Sequence, residues 1–154
     1  MKQFIFAAVC AVSGTGVLAQ DFYAGGTLDY AHPHSGDAQT VGSLVGGIGW
    51  SQGRYGYGAE VELGGHIGGD ADYGTQRLRG WGTYDLGRVA GRIAGGITEY
   101  DLNAGTASGY NLGVGVETAF SDRVTLRAEF IRDFMEDNST AAVTTTRIGA
   151  FYNF

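Results

Sequence analysis

What this sequence lacks narrows it before any motif is read. Its single cysteine, Cys10, lies near the start, so no disulfide can stabilise the residues beyond it. Beyond its first twenty residues the chain has no apolar run near the roughly 20 residues that a membrane-spanning helix needs. If the protein sits in a membrane, only a closed barrel can satisfy its backbone there. A basic cluster is missing as well. With a net charge of −6 and no run of Lys or Arg to neutralise phosphates, nucleic acid is not an expected partner. Proline occurs once, at Pro33.

Glycine is what the chain has in excess: 28 of 154 residues, against a usual share of about 7%, with no Gly-X-Y period. Glycine-rich chains often lack a core, but 44% hydrophobic residues, with 2 Trp, 9 Tyr and 8 Phe, argue against disorder. Glycines set among aromatic and β-branched residues suit strongly curved strands.

Met1 to Ala19 reads as a secretory leader. Lys2 supplies the basic start, Phe4 to Val12 the apolar run, and Val17-Leu18-Ala19 a small-residue cleavage site, with cleavage expected after Ala19. Ala7-Ala8-Val9 before Cys10 makes a poor lipobox, so no lipoprotein is expected. Residues 20–154 then form one domain.

The final stretch, Arg147 to Phe154, organises the rest. Read as a strand, it places Ile148, Ala150, Tyr152 and Phe154 on one side and Arg147, Gly149, Phe151 and Asn153 on the other. An apolar, aromatic last strand at a free end suits a barrel that must close on its first strand. The same period-2 alternation recurs upstream over about Asp21–Tyr30, Gln39–Trp50, Tyr55–Gly64, Gln76–Leu86, Arg88–Glu99, Gly109–Phe120 and Val124–Phe134. Eight strands of this length fit a tilted crossing of a bilayer. The intervening segments alternate long and short, the long ones being Ala31–Ala38, Gly65–Thr75, Tyr100–Ser108 and Met135 to about Ala141. Long extracellular loops and short periplasmic turns are the habit of outer-membrane barrels. The expected fold is therefore all-β, an eight-stranded antiparallel up-and-down transmembrane barrel, with four short acidic loops outside.

The placement of charge decides which face is inside. One set of strand faces is apolar, and the other holds Asp29, Glu60, Glu62, Arg77, Arg79, Arg92, Glu117, Arg127, Glu129 and Arg147. An eight-stranded barrel is too narrow to enclose the apolar set, so the charges are expected to line the lumen rather than the wall of a lipocalin-like cavity. Hairpin register sets Glu60 near Arg79, Glu62 near Arg77 and Glu117 opposite Arg127, and lets Glu129 reach Arg147. A salt-bridged plug is the favoured reading and a gated ion path the alternative. Aromatic girdles are expected at both interfaces: Trp50, Tyr55, Phe120, Tyr152 and Phe154 at the periplasmic rim, Tyr30, Tyr110 and Phe134 at the outer rim.

Three stretches carry a family resemblance. Gly115-Val116-Glu117-Thr118-Ala119-Phe120-Ser121-Asp122-Arg123-Val124-Thr125-Leu126-Arg127-Ala128-Glu129-Phe130 resembles the penultimate hairpin of the opacity-protein and OmpA/OmpX-like eight-stranded barrels. Phe22-Tyr23-Ala24-Gly25-Gly26 and Tyr152-Asn153-Phe154 are similar to the family's first and closing strands. The resemblance implies a Gram-negative outer-membrane location and a monomer in outer-membrane lipid and lipopolysaccharide. It also implies recognition by the barrel-assembly machinery through Tyr152 and Phe154, and a structural role or one of the family's surface-antigen, adhesion or tethering roles.

Candidate chemistry is sparse, and no cofactor is expected. His32, His34 and His66 fall in loop segments and, even with Asp37 and Asp70, match no standard zinc spacing. Pro33-His34-Ser35-Gly36 puts a His beside a Ser, but adjacent loop residues are not a nucleophile held by a base. A lipid A-modifying barrel enzyme is the third reading, behind a structural barrel and a narrow channel, and the chain is read as no enzyme. Gly46-Gly47 and Gly64-Gly65 lack the Lys and strand-to-helix context of a phosphate loop. Arg132, near the outer strand end, is placed to meet lipopolysaccharide phosphates or to snorkel.

Overall fold

The computed structural model describes residues 20–33, 38–68, 74–102, 105–135 and 142–154. The expected leader, 1–19, lies outside these residues, as do His34, Ser35, Gly36 and Asp37 and the acidic residues Asp70 and Asp72. Eight strands run β1 Gln20–Pro33, β2 Gln39–Gln52, β3 Tyr55–Gly68, β4 Gly74–Asp85, β5 Ala90–Leu102, β6 Gly105–Ser121, β7 Val124–Met135 and β8 Val143–Asn153. Each pairs antiparallel with its neighbour in sequence, and β8 closes against β1, so the sheet is a barrel without a free edge.

Strand parity explains why these segments fold together. Odd-numbered residues of β1 face inward and even-numbered ones outward, and the buried and exposed residues of β7 and β8 alternate in the same way. The outward set is apolar through the middle of the wall: Leu28, Leu44, Leu63, Ile93, Ile97, Leu112, Val114, Phe130 and Ile148 are each at least 51% exposed. In water such a continuous belt would be an aggregation hazard, whereas in a bilayer it is the solvated face. A closed strand wall pairs the strands' backbone groups with one another, as a bilayer interior requires.

At one end lie both described termini and the short turns. Gly53 takes φ +62°, in the left-handed region that a two-residue hairpin demands. In the β4–β5 turn the Asp85 carboxylate accepts from Gly87 N–H at 2.7 Å, and Leu86 N–H bonds the Val89 carbonyl at 3.0 Å. The closing seam ends there too, with Phe154 N–H donating to the Phe22 carbonyl at 3.0 Å.

At the opposite end the strands run further than their sequence pattern suggests. The expected long loop Tyr100–Ser108 is corrected: β5 and β6 stay paired up to Leu102 opposite Gly105, so two residues separate them. Thr106, Ala107 and Ser108 are small enough to extend a ladder, and lacking large apolar side chains they conceal the alternation. Similarly, β3 continues to Gly68 and β1 to Pro33.

Candidate functional site

The lumen is the only place where the described residues concentrate chemistry, and it is built in three storeys. Nearest the turn end is an apolar storey. Tyr23 of β1, Val45 of β2 and Phe151 of β8 are buried together, with Trp81 of β4 packed against them. The rings meet edge-on, Tyr23 to Phe151 at 5.8 Å and Tyr23 to Trp81 at 6.2 Å. Facing glycines make the room: a Cβ at Gly47 would strike the Tyr23 ring, and one at Gly49 the Trp81 ring.

Above it lies the first ionic storey, centred on Glu60. Tyr23 Oη donates to Glu60 at 2.7 Å, Arg127 Nη1 at 3.0 Å, and Arg79 Nη1 at 3.4 Å. Arg79 crosses the barrel from β4 to grip both carboxylate oxygens of Glu129 on β7, and its Nε reaches Asn111 at 2.9 Å. Arg92 Nη2 stands 2.8 Å from Glu60 and its guanidinium lies 4.8 Å from the Trp81 ring. Arg127 covers the Phe151 ring at 4.0 Å. Glu117 lies 3.4 Å from Arg127 and 3.7 Å from Arg92, and at 19% side-chain exposure it is the most open of these charges.

The second ionic storey, toward the loop end, joins different strands. Arg147 of β8 donates to Asp29 of β1 and Glu62 of β3, and Arg77 of β4 donates to Glu62 and to Asp133 of β7. Tyr100 and Thr98 hydroxyls of β5 also donate to Asp133, at 2.9 and 2.8 Å. Asn111 Nδ2, bonded to Thr98 at 2.8 Å, ties this storey to Arg79 below. Between Asp29, Ala31, Val41, Thr75, Arg77, Tyr100 and Thr145 the space left is about 10 Å³, room for one water at most.

All nine residues of the sequence-derived charge network, together with Asp29, therefore lie inside. The hairpin pairs Glu60–Arg79, Glu62–Arg77 and Glu117–Arg127 approach within 3.4, 2.5 and 3.4 Å. The fourth pairing is corrected. Glu129 and Arg147 are directly opposite on β7 and β8, yet Glu129 turns to Arg79 and Arg147 to Asp29 and Glu62. Sequence reading also missed Asp133, which among the described residues gives the inner face a sixth acid against five arginines. Its signal was parity, since Ile131 and Asp133 continue the inward register of Arg127 and Glu129. The inward aromatics Tyr23, Trp81 and Phe151 form a packed storey that the charge pattern does not signal.

The outer aromatics lie near both ends of the wall. Tyr110 and Phe134 stack at 5.0 Å near the loop end, where Tyr30 also meets His32. At the turn end, Trp50 stacks on Tyr57 at 5.9 Å, Tyr55 meets Tyr84 at 5.1 Å and Tyr152 meets Phe154 at 5.2 Å, while Phe120 is 74% exposed. Arg132 faces outward and donates to Thr144 at 2.7 Å. His32 is exposed and His66 half-buried, and no metal-holding cluster occurs among the described residues.

No family model and no curated protein matches the chain. Solved structures do. Neisserial surface protein A (NspA) aligns with a TM-score of 0.61 at 15% identity, over 88% of this chain and 97% of its own. The N-terminal β-barrel domain of Pseudomonas aeruginosa OprF gives 0.63 at 10% identity, over 86% and 97%. Ail, the attachment invasion locus protein of Yersinia pestis, in complex with the heparin analogue sucrose octasulfate, gives 0.53 at 11% identity, over 88% and 97%. At these identities the shared property is the fold, that of an eight-stranded Gram-negative outer-membrane barrel.

Proposed function

We propose that the protein is an integral outer-membrane barrel with a structural or surface-interaction role, its lumen closed by the ion-pair network rather than open to solutes. The observation that carries this is the double ionic storey, in which every lumen arginine bridges acids on other strands and the space left beside Asp29 and Arg77 is about 10 Å³. The girdles fix its depth, Tyr152 and Phe154 on the closing strand mark it for the barrel-assembly machinery, and Arg132 meets lipopolysaccharide phosphates. It is a monomer and not an enzyme on this reading.

Surface charge narrows the partner. Glu99 and Asp101 are exposed at the loop end, and the connections there carry Asp37, Asp70, Asp72, Glu136 and Asp137 in sequence. A polysulfate such as the one bound to Ail would be repelled by that end, so a cationic surface is the fitting partner.

A second reading, a narrow hydrated path, is favoured by one observation. The three guanidinium nitrogens of Arg92 and Nε of Arg127 are buried without a hydrogen bond, which is where water would sit. Planar-bilayer recording decides between the two. The plug predicts no resolvable conductance steps for the wild type and none for Glu117→Ala, whereas steps that grow in Glu117→Ala would establish the path. Boiled and unboiled samples of the membrane fraction on a cold SDS gel test the barrel itself, which predicts a compact band that shifts on boiling.

A further inference from the structure

A second concavity lies outside the lumen. A groove of about 690 Å³ is cut into the outer wall across β6, β7, β8 and β1. It exists because the wall is thin there: Gly26, Ala128 and Ala150 face outward where neighbouring strands carry large side chains. Leu28, Ile148, Val116 and Leu126 form its banks, and Val89 of the β4–β5 turn closes its lower corner. The volume falls within the roughly 300–1,000 Å³ of sites that hold small molecules.

The two turns below the groove each carry an exposed arginine. Thr118, on the groove wall, donates to the backbone carbonyl of Arg88 at 2.9 Å, which fixes that turn beside the groove. The Arg88 side chain is exposed and makes no ion pair or side-chain hydrogen bond with the described residues. Arg123, in the next turn along the rim, is exposed and held by Tyr152 Oη at 2.9 Å, one outward position below Ala150. Two exposed arginines thus stand on the turns below an apolar trough, at the end of the wall where Tyr152 and Phe120 lie. Asp85, which accepts from Gly87 N–H and keeps its charge, and Asp122 are the acids on these turns.

We propose that this groove is a binding site for one glycerophospholipid of the turn-side leaflet, its acyl chains along Gly26, Ala128 and Ala150 and its phosphate between Arg88 and Arg123. The inference rests on the membrane reading above. The chemistry selects this occupant: an apolar trough takes hydrocarbon, and exposed arginines on the turns at its foot take a phosphate. Lipopolysaccharide, on the opposite leaflet, would place its phosphates at the loop end. Asp122 lowers the affinity for an anionic headgroup, so Asp122→Asn strengthens it.

Groove-filling variants are sterically available, since a Cβ at Gly26 meets nothing nearer than the Ser43 carbonyl at 3.7 Å. The test is to extract the protein in mild detergent, measure retained phospholipid by native mass spectrometry, and titrate delipidated barrel with phosphatidylglycerol. Wild type is expected to retain about one glycerophospholipid. Gly26→Leu/Ala150→Leu should reduce retention at least tenfold, and Arg88→Gln/Arg123→Gln should weaken phosphatidylglycerol binding at least tenfold. Arg54→Gln, in the β2–β3 turn away from the groove, should change neither. Retention unchanged by both double variants, retention lost equally in Arg54→Gln, or lipid A as the retained lipid would overturn the proposal. Each sample is also run boiled and unboiled. A wild-type band that does not shift overturns the membrane reading and this site with it, whereas a shifting band without bound phospholipid overturns the site alone.

Discussion

The two ionic storeys of the lumen contain similar residues and are satisfied differently. On the loop side, Arg147 and Arg77 each donate to two carboxylates in directed hydrogen bonds, and Asp133 accepts from Arg77, Tyr100 and Thr98. On the turn side, Arg92 has Glu60 at 2.8 Å but directs no N–H at it, and Arg127 leaves Nε without a hydrogen bond. The loop-side layer also includes both strands of the closing seam, through Asp29 of β1 and Arg147 of β8, which are directly opposite in register. A fully paired layer specifies which strands are neighbours, and a loosely paired one fills space at a cost that the Trp81 and Phe151 rings partly offset.

Breaking the loop-side layer should therefore have the largest effect. Arg147→Ala leaves Asp29 and Glu62 buried with one arginine between them, and an orphaned buried charge costs about 3–5 kcal/mol. Urea unfolding in lipid vesicles should show that loss, with the heat-modifiable band weakened. The double variant Arg147→Met/Asp29→Asn should recover a substantial part of it, because removing both partners costs less than removing one. Equal loss in single and double variants would mean that packing rather than charge sets the contribution of this site.

An intermediate effect is expected where the turn-side layer is tightest. Gly113 lies on β6 under the Arg79–Glu129 pair, and a Cβ there would meet the Glu129 carboxylate and an Arg79 guanidinium nitrogen. Gly113→Ala must displace one of them, and overpacking of this kind costs about 1–3 kcal/mol. The same denaturation measurement checks it. A neutral result would show that the Arg79 side chain has slack the static geometry does not reveal.

Much of this was legible in the sequence because a barrel is nearly a one-dimensional object. Period-2 alternation identified the strands, the inward face and the pairs that hairpin register places side by side, such as Glu60 with Arg79. Contacts across the lumen were not legible: Arg79 to Glu129 and Arg147 to Glu62 depend on barrel tilt and stagger, which no local pattern encodes. Residues 105–108 were read as loop because Gly, Thr, Ala and Ser give no hydrophobic alternation, although their ladder to β5 is complete. Asp133 was overlooked although parity alone placed it inside. Its cost of burial is met by β5 hydroxyls that only the folded barrel supplies.

The smallest effect is expected from the arginine with the fewest bonds. Arg92→Met removes a buried cation whose nitrogens are unsatisfied, and the desolvation relieved by its loss opposes the attraction to Glu60 that is forfeited. Glu60 is not orphaned, because Arg79, Arg127 and the Tyr23 hydroxyl still face it. Methionine also keeps an apolar contact with the Trp81 ring. The net change should therefore stay within about 1 kcal/mol of zero, a small fraction of the Arg147→Ala loss for the same loss of one positive charge. If Arg92→Met instead matches Arg147→Ala, ordered water must satisfy Arg92, and the turn-side storey is as well paired as its neighbour through bonds that protein atoms alone do not make.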